Sequence, residues 1–227
     1  MSIIHSLAEH ARGHLSGLQA AQRDWSPFLV HFTNWKAMAP LRAVIKDGLN
    51  PQQVVKELDK ADQCSFEVAK QIAASLRVKA NSPSQKDAVP PCVCLSECTL
   101  PGLISHAERY GRFGFVFTKA AIDKLDGAPC MYLLRADYAA ISKAFKRKGG
   151  KTKRLWGLAN LLHPVGKKGG RVQDYSHERE WRVFKDIDLK TCPPVCLLAP
   201  ATYTTAVADL GLNVPVIPID MLHAWGA

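Results

Sequence analysis

The sequence predicts a single α+β domain. Six or seven short runs of aromatic and β-branched residues read as strands. Segments of helical period are scattered irregularly among them, without the strict strand–helix alternation of a doubly wound fold. An apolar fraction of 47% in 227 residues supplies one sizeable core. No internal repeat or clean linker divides the chain, so the domain is read as spanning 1–227.

Residues 1–25 place Ile4, Leu7, Ala11, Leu15 and Leu18 at helical spacing and read as an amphipathic helix. Ser26-Pro27 marks a turn. Phe28-Leu29-Val30-His31-Phe32 reads as a strand, and Thr33 and Asn34 are helix-start residues for a helix running to about Ile45, with Gly48 closing it. Phe66 to Val78 repeats a helical spacing, and Asn81 to Pro91 reads as a proline-rich loop. Beyond it come a buried strand at Val93 to Leu95, a helix at Leu100 to Arg109, a strand at Phe113 to Phe117 and a short helix at Ala120 to Leu125. Further strands are expected at Cys130 to Leu134, Glu180 to Phe184, Val195 to Leu198 and Val214 to Ile217.

No uncharged apolar run is long enough to span a bilayer, and the N-terminus lacks the basic-then-apolar layout of a signal peptide. A reducing cytoplasm is therefore expected, with the seven cysteines as thiols. Cys92, Cys94, Cys98, Cys192 and Cys196 invite a zinc reading. Cys94, however, alternates with Val93 and Leu95 in an apolar strand, as a small buried hydrophobe does, and no metal is expected.

The formal net charge is +10. Ten of the 30 basic residues lie between Lys143 and Arg171, a stretch with no acidic residue, leaving 20 basic against 20 acidic elsewhere. The stretch includes Lys146, Arg147, Lys148, Lys151, Lys153 and Arg154, and its glycines suggest mobile loops around a short helix from Leu155 to Leu162. A neutral body with one basic flap suits a polyanion such as nucleic acid, held by neutralising phosphates. The other reading is a solvated loop.

Three segments could carry chemistry. His31 and Thr33 are polar residues at a strand-to-helix junction, a common place for ligand contacts, or else a core histidine and a helix cap. Tyr110, Gly111, Phe113 and Gly114 set an aromatic wall beside a turn that suits a flat ring, or simply feed the core. In Glu178-Arg179-Glu180-Trp181-Arg182, strand alternation puts Glu178, Glu180 and Arg182 on one face. Carboxylates so close repel unless arginines or a ligand balance them.

Together these segments resemble the abortive phage infection proteins of AbiGi type. The likeness runs through His31-Phe32-Thr33, Ile45 with Gly48-Leu49, Cys94-Leu95-Ser96, His106 with Tyr110-Gly111, Phe113-Gly114-Phe115, Phe117, Lys119 and Glu178 to Arg182, spanning most of residues 29 to 184. In motif order that family is similar to ADP-ribosyltransferases, including toxins that modify DNA. The resemblance implies an NAD-binding split β-sheet, with NAD as co-substrate, in bacterial antiphage or toxin–antitoxin defence. It implies Glu180 as the carboxylate stabilising positive charge at the ribose, and Glu178 positioning the acceptor; which of the two leads stays open. Tyr110, with Phe113, would stack on nicotinamide, and His31 and Thr33 would hold ribose. Arg182 or Arg179 would meet the pyrophosphate or neutralise the glutamates. The basic flap would grip a nucleic-acid acceptor. The alternative is an inert pocket in an antitoxin-like or nucleic-acid-binding module with a cognate toxin or antitoxin as partner.

Overall fold

The computed structural model describes residues 26–33, 51–81, 90–147, 160–168, 171–173 and 179–221. They form an α+β fold around a mixed seven-stranded sheet. In chain order the elements are β1 (Phe28–Phe32), α1 (Pro51–Ser75), β2 (Arg77–Val78), β3 (Val93–Glu97), α2 (Leu100–Tyr110), β4 (Gly114–Thr118) and α3 (Lys119–Asp123). There follow β5 (Ala128–Pro129), β6 (Met131–Leu134), α4 (Arg135–Arg147), β7 (Leu162–Lys168) and β8 (Arg171–Gln173). The chain closes with β9 (Glu180–Val183), β10 (Ile187–Asp188), β11 (Cys196–Ala199), α5 (Thr204–Ala208) and β12 (Val216–Pro218).

The main sheet runs β12-β11-β4-β1-β3-β9-β5, antiparallel except where β12 joins β11. Strand alternation gives it two apolar faces. On one, Leu29, Val93, Leu95, Phe115, Phe117 and Val183 pack with Ala69 and Ile72 of α1. On the other, Val30, Val116 and Leu198 pack with Leu103 and Ala107 of α2. Thr99 caps α2, its hydroxyl accepting from the Gly102 N–H at 3.3 Å. Arg112 ties α1 to the chain's end: its guanidinium bonds the buried Asp62 and, at 2.8 Å, Asp220.

Pairing along the sheet is uneven. β1 and β4 pair along five residues, and β3 and β9 along four. β1 and β3 share only Leu29–Glu97 and Val30–Ser96. Two halves, β12-β11-β4-β1 and β3-β9-β5, thus meet at a short seam that ends where His31 begins. Beyond it the Nδ1–H of His31 donates to the Cys94 carbonyl at 2.9 Å.

Most expected strands appear within a residue or two of their positions. The helix expected at Phe66 to Val78 instead runs from Pro51 to Ser75 and stops at Leu76, whose φ is 50°, before Arg77–Val78 pairs with β10. The expected helices at 1–25 and 34–45, most of the loop at 81–91, and 155–159 lie outside the described residues. The flap requires a larger correction. Lys143 to Arg147 complete α4, Leu162 opens β7 rather than ending a helix, and Gly166, Lys167 and Lys168 pair with Gln173, Val172 and Arg171 across β7 and β8. β6, α4 and β7 make a parallel crossover unit, and β8 completes a second sheet. Of the glycines that suggested loops, Gly166 lies in β7, and Gly149, Gly150, Gly169 and Gly170 lie outside the described residues. Among the described residues, no helix is long and apolar enough to cross a membrane.

Candidate functional site

Directly opposed antiparallel residues point to the same face. Val30, Ser96 and Glu180 are successive partners across β1, β3 and β9, and Cys94 opposes Arg182. Glu180 and Arg182 therefore share the face covered by α2. His31, one residue beyond Val30, belongs to the other face, opposite Phe115. Thr33 follows His31, its hydroxyl donating to the Ser65 carbonyl of α1 at 3.4 Å. His31 and Thr33, implied to hold the ribose at which Glu180 acts, thus lie across the sheet from Glu180.

Phe113 is core, 1% exposed, its ring centroid 5.9 Å from that of Phe66 and 5.2 Å from that of Tyr203. This packing displaces it from the role of ring shelf. Tyr110 does lie on the α2 face, grouped with Phe32 and His106 at centroid distances of 6.3 and 5.8 Å. Glu178 lies outside the described residues. Arg179 has a φ of 41°, so the strand starts only at Glu180 and the alternation used to align Glu178 with Glu180 breaks there. Arg179 turns instead toward Glu97, which also pairs with Lys119 at 2.8 Å. The backbone of Lys146 and Arg147 ends α4, and Lys148, Lys151, Lys153 and Arg154 lie outside the described residues.

The densest chemistry is around Glu180. Arg182 grips it with two bonds, Nε to Oε1 at 2.9 Å and Nη2 to Oε2 at 3.0 Å. Both groups are buried, at 8% and 3% exposure. Arg182 also donates to the Asn160 carbonyl at 2.6 Å, and its Nη2 lies 3.1 Å from His163 Nδ1. His163 Nδ1 is 3.4 Å from Glu180 Oε2: neutral, it accepts from Arg182; protonated, it donates to Glu180. The Glu180 N–H donates to the Tyr132 hydroxyl at 2.9 Å, and the Cys130 N–H to the Glu180 carbonyl at 2.7 Å.

Burial works against ionising Glu180. Hydrogen bonds from His163 and Arg182, and the charge of Arg182, outweigh it and hold the carboxyl at about 2. Glu180 is therefore a carboxylate at any physiological pH. His31 moves the other way: burial lowers its pKa against the pull of the Cys94 carbonyl, so it is neutral. Burial also lifts the thiols of Cys98 and Cys196 to about 12, as expected of packed, unreactive sulfurs.

Sequence reasoning found Glu180 and Arg182 but missed Tyr132, His163 and Asn160. The last three sit at the base of the crossover unit, and only its docking on β9 brings them in. Tyr132 and His163 are register partners on β6 and β7, a relation no local motif announces. Among the described residues no group of histidine, cysteine and carboxylate side chains could hold a metal ion. Compared with protein-family models, with curated proteins and with solved structures, the chain matches none.

Proposed function

We propose that this chain is an NAD-consuming ADP-ribosyltransferase of the abortive-infection type, with a nucleic-acid acceptor, in bacterial antiphage or toxin–antitoxin defence. The observation that supports it is a charge arrangement on one face of the main sheet. There an ionised, buried Glu180 is clamped by Arg182, shares its face with the Phe32–His106–Tyr110 group, and has the most basic unit of the chain docked against it.

Cleaving the bond between nicotinamide and ribose builds positive charge at the ribose carbon, as in glycoside cleavage. A fixed carboxylate in a dry site stabilises that charge without reorganising. On this reading Glu180 supplies the charge, Tyr110 the ring shelf and Arg182 the anion contact. His31 and Thr33 on the opposite face shape the seam instead of holding ribose. The acceptor lies along the basic stretch from Lys143 to Arg171.

One observation favours a second reading. Both Glu180 oxygens are already bonded by Arg182, as in a structural ion pair. In that case the chain is a binding module that grips nucleic acid or an acidic partner protein and leaves NAD intact.

Labelled NAD incubated with DNA, RNA or lysate separates the two. Label transfer by the wild type, lost in Tyr110→Ala and in Glu180→Gln protein shown to be folded, is expected. Failure of the wild type to bind NAD at millimolar concentration refutes the enzyme reading. Salt-dependent nucleic-acid binding without NAD consumption establishes the second. Removing the charge of Lys146, Arg147, Lys148 and Lys151 together should then cut the slope of log K against log salt by up to about 3.6.

A further inference from the structure

Cys92 and Cys94 stand two residues apart at the start of β3, with their sulfurs 3.8 Å from one another. Two residues of strand place their α-carbons about 6.6 Å apart, near the upper end of the range a disulfide spans. The side chains project from the same side, so the β-carbons also stand about 6.6 Å apart, beyond the roughly 3.5–4.5 Å a disulfide spans, and closure needs the backbone to contract between Cys92 and Cys94. Cys92 lies just before β3, buried, its N–H and carbonyl both bonded to Asn81 at 3.0 Å. The pair faces charge: Cys94 opposes Arg182 in the ladder.

We propose that Cys92 and Cys94 are a reversible thiol-oxidation site, closing to an intrastrand disulfide when a peroxide reaches them. The step balances with hydrogen peroxide as oxidant. The Cys92 sulfur attacks one peroxide oxygen, the O–O bond breaks, and water leaves with a sulfenic acid on Cys92. The Cys94 sulfur then attacks Cys92, the S–OH bond breaks, and a second water leaves, its protons coming from the two thiols. The sulfurs lose two electrons and one peroxide is reduced to two waters. The arrangement of roles fits the local charge: the Cys94 S–H donating to Cys92 makes Cys92 the more acidic sulfur, aided by nearby Arg182, while the same bond, with burial, pushes Cys94 upward. A bridge within an extended strand is strained, and strained disulfides are the readily reduced ones.

The remaining sulfurs make a clear control set. Cys64 is exposed on α1; Cys98, Cys130, Cys192 and Cys196 are buried like Cys92, so they control for burial, and what sets the pair apart is the sulfur neighbour of Cys92. The test is peroxide titration of the full chain carrying Cys64→Ser, followed by mass mapping of the tryptic peptide from Asp87 to Arg109, which holds Cys92, Cys94 and Cys98. Loss of two hydrogens from that peptide is expected, confined to the Cys92–Cys94 half after a further cut at Leu95, and undone by dithiothreitol. Cys98→Ser should keep the bond. Cys94→Ser should lose it and leave a sulfenic acid at Cys92 that a dimedone probe captures. A wild-type peptide that keeps both thiols while other cysteines oxidise overturns the proposal, as does a bridge to Cys98 or Cys130.

Discussion

At the scale of single residues, the Glu180–Arg182 pair sets the acid behaviour of the protein. Glu180 titrates at about 2 in the fold, well below an unfolded glutamate near 4.3. Its stabilising contribution, about 3 kcal/mol, is therefore complete above pH 4.3 and is lost as the pH falls toward 2. His31, lowered by burial, adds an earlier window: its contribution is whole above about pH 6.5 and declines in acid below that. Denaturant midpoints measured from pH 8 to pH 3 should fall in these two stages. Glu180→Gln should remove the lower stage and cost about 3–5 kcal/mol at neutral pH, because Arg182 stays buried without its counter-charge. An unchanged profile in that variant would show that the pair is not ionised as described.

At the scale of elements, close packing decides more than propensity. Gly127 joins α3 to β5, and a β-carbon there would lie 2.4 Å from the Ile122 methyl and 2.9 Å from the Ile122 carbonyl oxygen. Gly127→Ala should cost about 1–3 kcal/mol by urea denaturation, since backbone as well as side chain must move. Strands with short aromatic or branched runs were readable from sequence: β1, β3, β4, β9 and β11 fall close to where the pattern places them. β7 was not readable. His163-Pro164-Val165-Gly166-Lys167 carries a proline, a glycine and charge, all of which argue against a strand. It forms because β6 supplies a parallel partner at Pro164, before β8 joins at Gly166. The candidate site was half legible for the same reason. Alternation on β9 gave the Glu180–Arg182 pair, whereas Tyr132, Asn160 and His163 arrive with a unit whose pairing no local pattern encodes.

At the scale of the whole molecule, the charge excess and the buried ion pair belong to one mechanical assembly. Arg182 reaches the Asn160 carbonyl and Glu180 leans on the Tyr132 hydroxyl, so the basic crossover unit and the carboxylate are held together. The two-pair seam between β1 and β3 has a further consequence for cooperativity. β1–β4 and β3–β9 pair along five and four residues, against two across β1–β3 and two across β9–β5. The halves should therefore behave as separate foldons, opening at different free energies. Native-state amide exchange in rising denaturant should show the β1–β4 amides and the β3–β9 amides following two isotherms, and a single shared isotherm would contradict this. Were the sheet to open along that internal hem, it would part where His31 meets Cys94, on the same strand as Ser96, the partner of Glu180.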